Sequence, residues 1–114
     1  MAEKNSIEYD KLIRDKIPQI IKDQGKRAVI EVLDAVNYKR YLDLKLDEEL
    51  KEYFEADNVE ELADLVEVIY AILDYKGVSP ENFEKIRTSK VQKRGAFKKV
   101  VLVYNYGHGK LNIL

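Results

Sequence analysis

The chain has 114 residues, 36% of them charged and 46% hydrophobic, a balance that allows one globular core and excludes a disordered chain. A net charge of −1 argues against wholesale nucleic-acid binding, and the lack of cysteine excludes disulfide frameworks and thiolate metal sites, in keeping with a reducing cytosol. Glu67 and Asp74 interrupt the longest apolar stretch before it reaches the ~18 residues of a membrane span, and the start is polar, so a cytoplasmic protein without a membrane partner is expected.

Met1 to Ile7 is polar and expected to be frayed or extended. From Asp10 onward Ile13, Ile17, Ile20 and Ile21 recur at helical spacing, which predicts a short helix to about Gln24, stopped by Gly25. Pro18 fits only the first turn or so, which sets Arg14, Asp15 and Lys16 at the helix opening. Basic side chains beside a helix N-terminus suit phosphate oxygens, although a capping ion pair between Arg14 and Asp15 explains the same residues. Ala28 to Leu33 is short and β-branched and reads as a strand.

Asp34 is an N-cap for a long helix to about Ala56, with Tyr41, Leu42, Leu46, Leu50, Tyr53 and Phe54 as its core stripe. At 1.5 Å per residue it extends about 33 Å, more than a compact chain of this size readily covers, so its far end is expected on a partner chain. Glu55-Ala56-Asp57-Asn58 reads as a helix end followed by a new N-cap, making the next helix an antiparallel neighbour. That helix, from Val59 to Leu73, is apolar almost all round, with Asp64 and Glu67 set inside the wall; Lys76 and Gly77 close it. Ser79-Pro80 opens a further helix carrying Phe83, Ile86, Lys90, Lys93 and Arg94, and Gly95 ends it. Lys90, Lys93 and Arg94 share one face. Val100 to Tyr104 reads as a second strand able to pair with Ala28–Leu33, and the tail from Asn105 is expected to be loose, with His108 a surface residue.

Two carboxylate patterns stand out in the hairpin. Glu49-Leu50-Lys51-Glu52 and Glu61-Leu62-Ala63-Asp64 each hold acids three residues apart, roughly 5–6 Å on one helix face. Folding back at Asp57-Asn58 sets Glu49 and Glu52 opposite Glu61 and Asp64. Four carboxylates at close range cannot all stay ionised without a cation, and hard divalent ions such as Mg²⁺ take oxygen ligands. Asp43 to Asp64 holds ten acids and two lysines, whereas Lys85 to Lys99 holds seven basic residues and no acid. An acidic patch for metal and a basic patch for phosphate are what a metal–polyphosphate substrate requires; mutual salt-bridging of solvated helices is the plainer alternative.

At these residues the sequence resembles the MazG-like, all-α nucleoside triphosphate pyrophosphatase superfamily, whose pattern is Glu-Glu-x-x-Glu followed by Glu-x-x-Asp. Glu48-Glu49-Leu50-Lys51-Glu52 and Glu61-Leu62-Ala63-Asp64 match it position by position. Lys11-Leu12-Ile13-Arg14-Asp15-Lys16-Ile17-Pro18 and Lys93-Arg94-Gly95-Ala96-Phe97 resemble its phosphoribosyl-ATP pyrophosphohydrolase-like, house-cleaning branch. The eight residues between Glu52 and Glu61 are a shorter connection than in many members, and Ala96 stands where a second glycine is common.

The resemblance implies one MazG-like domain over residues 1–114, mainly α, with an antiparallel helical hairpin completed to a four-helix bundle in a homodimer or homotetramer, beside a small two-stranded β element. It implies Mg²⁺-dependent, or Mn²⁺-dependent, hydrolysis of a nucleoside triphosphate to monophosphate and pyrophosphate. Glu49, Glu52, Glu61 and Asp64 would hold the metal, with Glu48 beside them in an open role. Lys11, Arg14, Asp15, Lys16, Lys90, Lys93 and Arg94 are the candidates for contacting substrate. Hydrolysis of phosphoribosyl-ATP in histidine biosynthesis, or metal and nucleotide binding without turnover, are the alternatives. No stable nucleic-acid partner is expected.

Overall fold

Helix boundaries here are set by local capping chemistry, and helix-on-helix packing comes from one helical hairpin. The computed structural model describes residues 9–107 and 109. These form four helices: α1 (Ile17–Asp23), α2 (Ala35–Ala56), α3 (Val59–Tyr75) and α4 (Pro80–Arg94). The chain divides into two units, Met1–Pro80 and Glu81–Leu114. No described helix is long and apolar enough to cross a membrane.

In the first unit, α1 starts just before Pro18, whose missing N–H costs nothing in a first turn. Its end is closed by Gly25 at φ 72: Gly25 N–H donates to the Lys22 carbonyl at 2.9 Å and Lys26 N–H to the Ile21 carbonyl at 3.1 Å. The same paired closure ends α3, where Gly77 at φ 74 lets Val78 N–H reach the Leu73 carbonyl at 2.9 Å. Asp34 opens α2 by accepting from Asn37 N–H at 2.8 Å, and Asn58 opens α3 by accepting from Glu61 N–H at 3.0 Å.

Only Asp57 and Asn58 join α2 to α3. Asp57 lies in the left-handed region (φ 51, ψ 50), which reverses the chain within one residue. The two helices pack on each other. Tyr38, early in α2, meets Tyr75, the last residue of α3, edge-to-face with ring centroids 6.0 Å apart, so the helices run antiparallel. Among the described residues Leu42, Val68 and Glu49 are the buried ones. Full burial of Leu42 contributes about 1.5–3 kcal/mol. Leu50, Phe54, Leu62 and Val66 stay exposed on the hairpin. The segment preceding α1 is tied to the hairpin by polar contacts, among them the Tyr41 hydroxyl donating to Asp10 Oδ1 at 2.9 Å.

In the second unit, α4 is braced by the Arg87–Glu84 ion pair and by the Thr88 hydroxyl donating to the Glu84 carbonyl at 2.9 Å. It buries no residue, and Gly95 follows its end. Lys90, Lys93 and Arg94 occupy its last turns.

The mainly α expectation holds, but the two-stranded element is corrected. No β-strand forms among the described residues. A strand gains its stability from a ladder partner, and in one chain Ala28–Leu33 and Val100–Tyr104 fall in different units. Val29, Val32, Val100 and Val101 are exposed, and Val100 sits at φ 58, a left-handed conformation that breaks an extended path. Glu67 is exposed rather than walled in. The expectations for Met1–Ile7, His108 and the end of the tail fall outside the described residues.

The turn chemistry gives two opposite expectations. Asn58→Ala should lower unfolding stability by about 0.5–2 kcal/mol, because the Glu61 N–H loses its acceptor. Asp57→Gly should be neutral or stabilising, since glycine occupies the left-handed region without strain. Urea unfolding of both variants checks the pair, and a destabilised Asp57→Gly would mean its side chain, not its backbone, holds the turn.

Candidate metal centre

The hairpin turn brings five carboxylates together in two overlapping triads. One oxygen each of Glu48, Glu49 and Glu52, all on α2, lie within 4.8 Å of one another. One oxygen each of Glu49, Glu61 and Asp64 do the same across the α2–α3 seam. Glu49 belongs to both. It is 6% exposed, and its Oε2 has no hydrogen-bond partner, as is also true of the buried Oε2 of Glu61. A buried carboxylate oxygen without a donor costs free energy that an ion would recover. The donor set is all carboxylate oxygen, which suits hard divalent cations such as Mg²⁺ and Mn²⁺.

Three basic side chains already face the cluster. Lys11 Nζ lies 2.9 Å from Glu48 Oε1. Lys45, one helical turn before Glu48 and Glu49, lies 3.4 Å from Glu48 Oε2 and 3.5 Å from Glu49 Oε1. Arg14 Nη2 donates to Asp64 Oδ1 at 2.6 Å across fifty residues of sequence. With all five carboxyls ionised, three cations leave two negative charges, the complement of one divalent ion.

The charges sort the carboxyls. Burial, then the hydrogen bond and charge of Glu52, push the Glu49 carboxyl above its ordinary value, with Lys45 opposing. Burial raises Glu61 as well, followed by the charges of Asp64 and Glu52. Burial also acts upward on Glu48, but Lys11 and Lys45 together outweigh it, and its carboxyl titrates below the ordinary range. Lys11 is raised correspondingly by its hydrogen bond to Glu48.

Of the residues singled out in the sequence, Glu48, Glu49, Glu52, Glu61 and Asp64 converge, and Lys11 and Arg14 join them. Glu48 lies in the α2 triad with Glu49 and Glu52. Asp15 and Lys16 do not join: they are exposed at the opening of α1 and make no side-chain bond among the described residues. Lys90, Lys93 and Arg94 lie on α4 of the second unit. Lys45 is the residue that sequence reasoning missed. Its signal was present, since a lysine three and four residues before two glutamates shares their helix face.

No family model matches the chain, and no solved structure matches it. A stretch of 46 residues is 46% identical to an uncharacterized protein of Mycolicibacterium smegmatis, covering 40% of this chain and 47% of that protein. The chain thus spans about half the length of the curated relative it matches.

Raised carboxyls make metal-free stability pH-dependent. Glu49 and Glu61 titrate higher folded than unfolded, so the fold is favoured below the unfolded value and loses that advantage as pH rises through the folded one. Glu48, depressed, contributes in the opposite sense, and its share is lost as pH falls. Glu49→Gln should therefore raise the metal-free melting temperature by a few degrees at about pH 7 and change it little at about pH 3.5. Melting curves in a chelating buffer test this; a drop at the higher pH would show that the ionised carboxylate is favoured by Lys45 more than it is opposed by burial.

Proposed function

We propose that the chain is a divalent-metal-dependent nucleotide pyrophosphohydrolase that splits a nucleoside triphosphate into a monophosphate and pyrophosphate. One observation carries the reading: Glu49, buried at the α2–α3 seam, holds an unpartnered oxygen beside Glu61 and Asp64. Such a carboxylate in a five-acid cluster is built for a cation. The resemblance of Glu48–Glu52 and Glu61–Asp64 to the MazG-like pattern turns a cation site into a substrate class.

Glu49, Glu61 and Asp64 would hold Mg²⁺ or Mn²⁺, with Glu52 completing the set from α2. When bound, the ion would polarise the α-phosphoryl group, lower the pKa of an attacking water and offset charge on the leaving pyrophosphate. In the reaction, the water oxygen bonds to the α-phosphorus and the bond from that phosphorus to the α–β bridging oxygen breaks. Glu48 is ionised and held by Lys11 and Lys45, and its depressed pKa makes it a weak proton acceptor. Its part is to anchor those two lysines against the cluster. Glu49 and Glu61, raised in the metal-free state, are the carboxyls whose ionised form a bound cation would favour most. Lys11 and Arg14 stand beside the cluster, and Lys16 is a further candidate for the phosphate tail.

Pyrophosphate release from a panel of triphosphates and phosphoribosyl-ATP, with and without Mg²⁺, tests the reading and separates it from phosphoribosyl-ATP hydrolysis and from binding without turnover. Glu52→Gln and Asp64→Asn should each cut turnover by about a hundredfold or more while leaving the helical circular dichroism intact. Near wild-type turnover in either variant would sink the metal assignment.

The same reading takes the working form to be a homodimer or homotetramer in the cytoplasm, with two hairpins completing a four-helix bundle. What supports it is the apolar surface that the hairpin leaves exposed at Leu50, Phe54, Leu62 and Val66. Light scattering at micromolar concentration should give at least twice the 13.3 kDa of one chain. A clean monomer would overturn this assembly.

A further inference from the structure

We infer that Arg14 is a displaceable internal cation: it neutralises Asp64 until a divalent ion enters, and is then released to the anionic oxygens of the ligand that the ion carries. The inference rests on the metal centre proposed above and assigns this arginine an exchange of partners within it.

The three cations at the cluster are not equivalent. Lys11 and Lys45 contact Glu48 and the Oε1 of Glu49, leaving the Oε2 of Glu49 unpartnered. An ion entering among Glu49, Glu61 and Asp64 has no need to dislodge either lysine. Arg14 is different, because it sits 2.6 Å from Asp64 Oδ1, on the third carboxylate of that triad. A guanidinium and a divalent ion on the same carboxylate repel each other at a few ångströms, which weakens the Arg14–Asp64 pair once an ion is held there. The Arg14 side chain is 57% exposed and that of Asp64 40%, so the pair is weak enough to open.

The backbone around Arg14 favours exchange over loss. Its carbonyl accepts from Ile17 N–H at 3.1 Å, which fixes the residue at the opening of α1 while the side chain remains long and exposed. The Tyr41–Asp10 and Lys11–Glu48 contacts hold the preceding segment against α2 without using Arg14. A released guanidinium therefore stays beside the ion, where its planar fork matches two phosphate oxygens. The same residue neutralises the metal-free centre and grips the ligand of the loaded one.

The test uses calorimetric titration of the full chain with Mg²⁺ alone and then with Mg²⁺–pyrophosphate. Arg14→Ala should bind Mg²⁺ about two- to fivefold more tightly, the range for an ion pair this exposed. It should bind Mg²⁺–pyrophosphate about tenfold more weakly, through lost charge-assisted hydrogen bonds. Lys11→Ala removes the same charge without vacating Asp64, and should tighten Mg²⁺ binding clearly less. A structural role alone would not produce opposite signs for the two ligands. Mg²⁺ affinity unchanged in Arg14→Ala, or raised equally in Lys11→Ala, overturns the competition. Tighter Mg²⁺ binding with unchanged pyrophosphate binding overturns the release. Glu49→Gln separates the two layers: if it abolishes Mg²⁺ binding while Arg14→Ala is unchanged, the exchange fails and the metal centre stands. Undiminished Mg²⁺ binding in Glu49→Gln removes the metal centre and the exchange with it.

Discussion

A carboxylate buried at the seam of two helices, with one oxygen left without a donor, is the constraint from which the site follows. Glu49 belongs at once to a triad on α2 and to a triad spanning α2 and α3. In an ordinary core such a group would be replaced by an apolar residue or paired outright, because an unsatisfied buried oxygen costs about 1–3 kcal/mol or more. Here Lys45 satisfies one oxygen at 3.5 Å and the other remains open. The free energy withheld from the metal-free fold is the free energy a cation can return on binding. In the proposed metal centre, stability and function are thus opposed at one atom.

The surrounding charges distribute that tension. On the α2 side, Glu48 is held ionised by Lys11 and Lys45. On the seam side, Glu49 and Glu61 are raised above their ordinary values; Lys45 meets one oxygen of Glu49 and Arg14 meets Asp64. The asymmetry assigns different work to carboxylates that look interchangeable along the chain. One group is held ionised by two lysines, and the other is held nearer its neutral form by burial. The hairpin that positions them is itself lightly buried, with Leu42 and Val68 as its enclosed apolar residues among those described. Its geometry depends on the two-residue turn at Asp57 and Asn58, whose capping bond also fixes Glu61 through its N–H.

Helix limits were legible in the sequence because they are decided within a few residues. Asp34, Asn58 and Pro80 start helices by satisfying or lacking donors, and Gly25, Gly77 and Gly95 end them by admitting positive φ. The three-residue spacing of Glu49 with Glu52, and of Glu61 with Asp64, set each pair on one helix face for the same local reason. The brevity of the Asp57–Asn58 connection then made the two faces meet. These parts of the architecture needed no information from beyond a single turn of helix.

Longer-range pairings were decided only in three dimensions. Nothing local says that Arg14 reaches Asp64, or that Lys11 chooses Glu48, because such pairs depend on how the segment before α1 lies on the hairpin. Residues 28–33 and 100–104 have strand-forming side chains, yet β structure is a property of two segments, and in a single chain these two do not form it. Glu67 shares a helix with Asp64 but turns to solvent, because the apolar wall around it is covered by α2 on one side only. What the sequence by itself determined were the helices, the hairpin and the acidic faces, all products of short-range geometry. Which carboxylate is buried, which cation it meets and which oxygen is left open were settled by packing, because burial and ion pairing are properties of the folded neighbourhood.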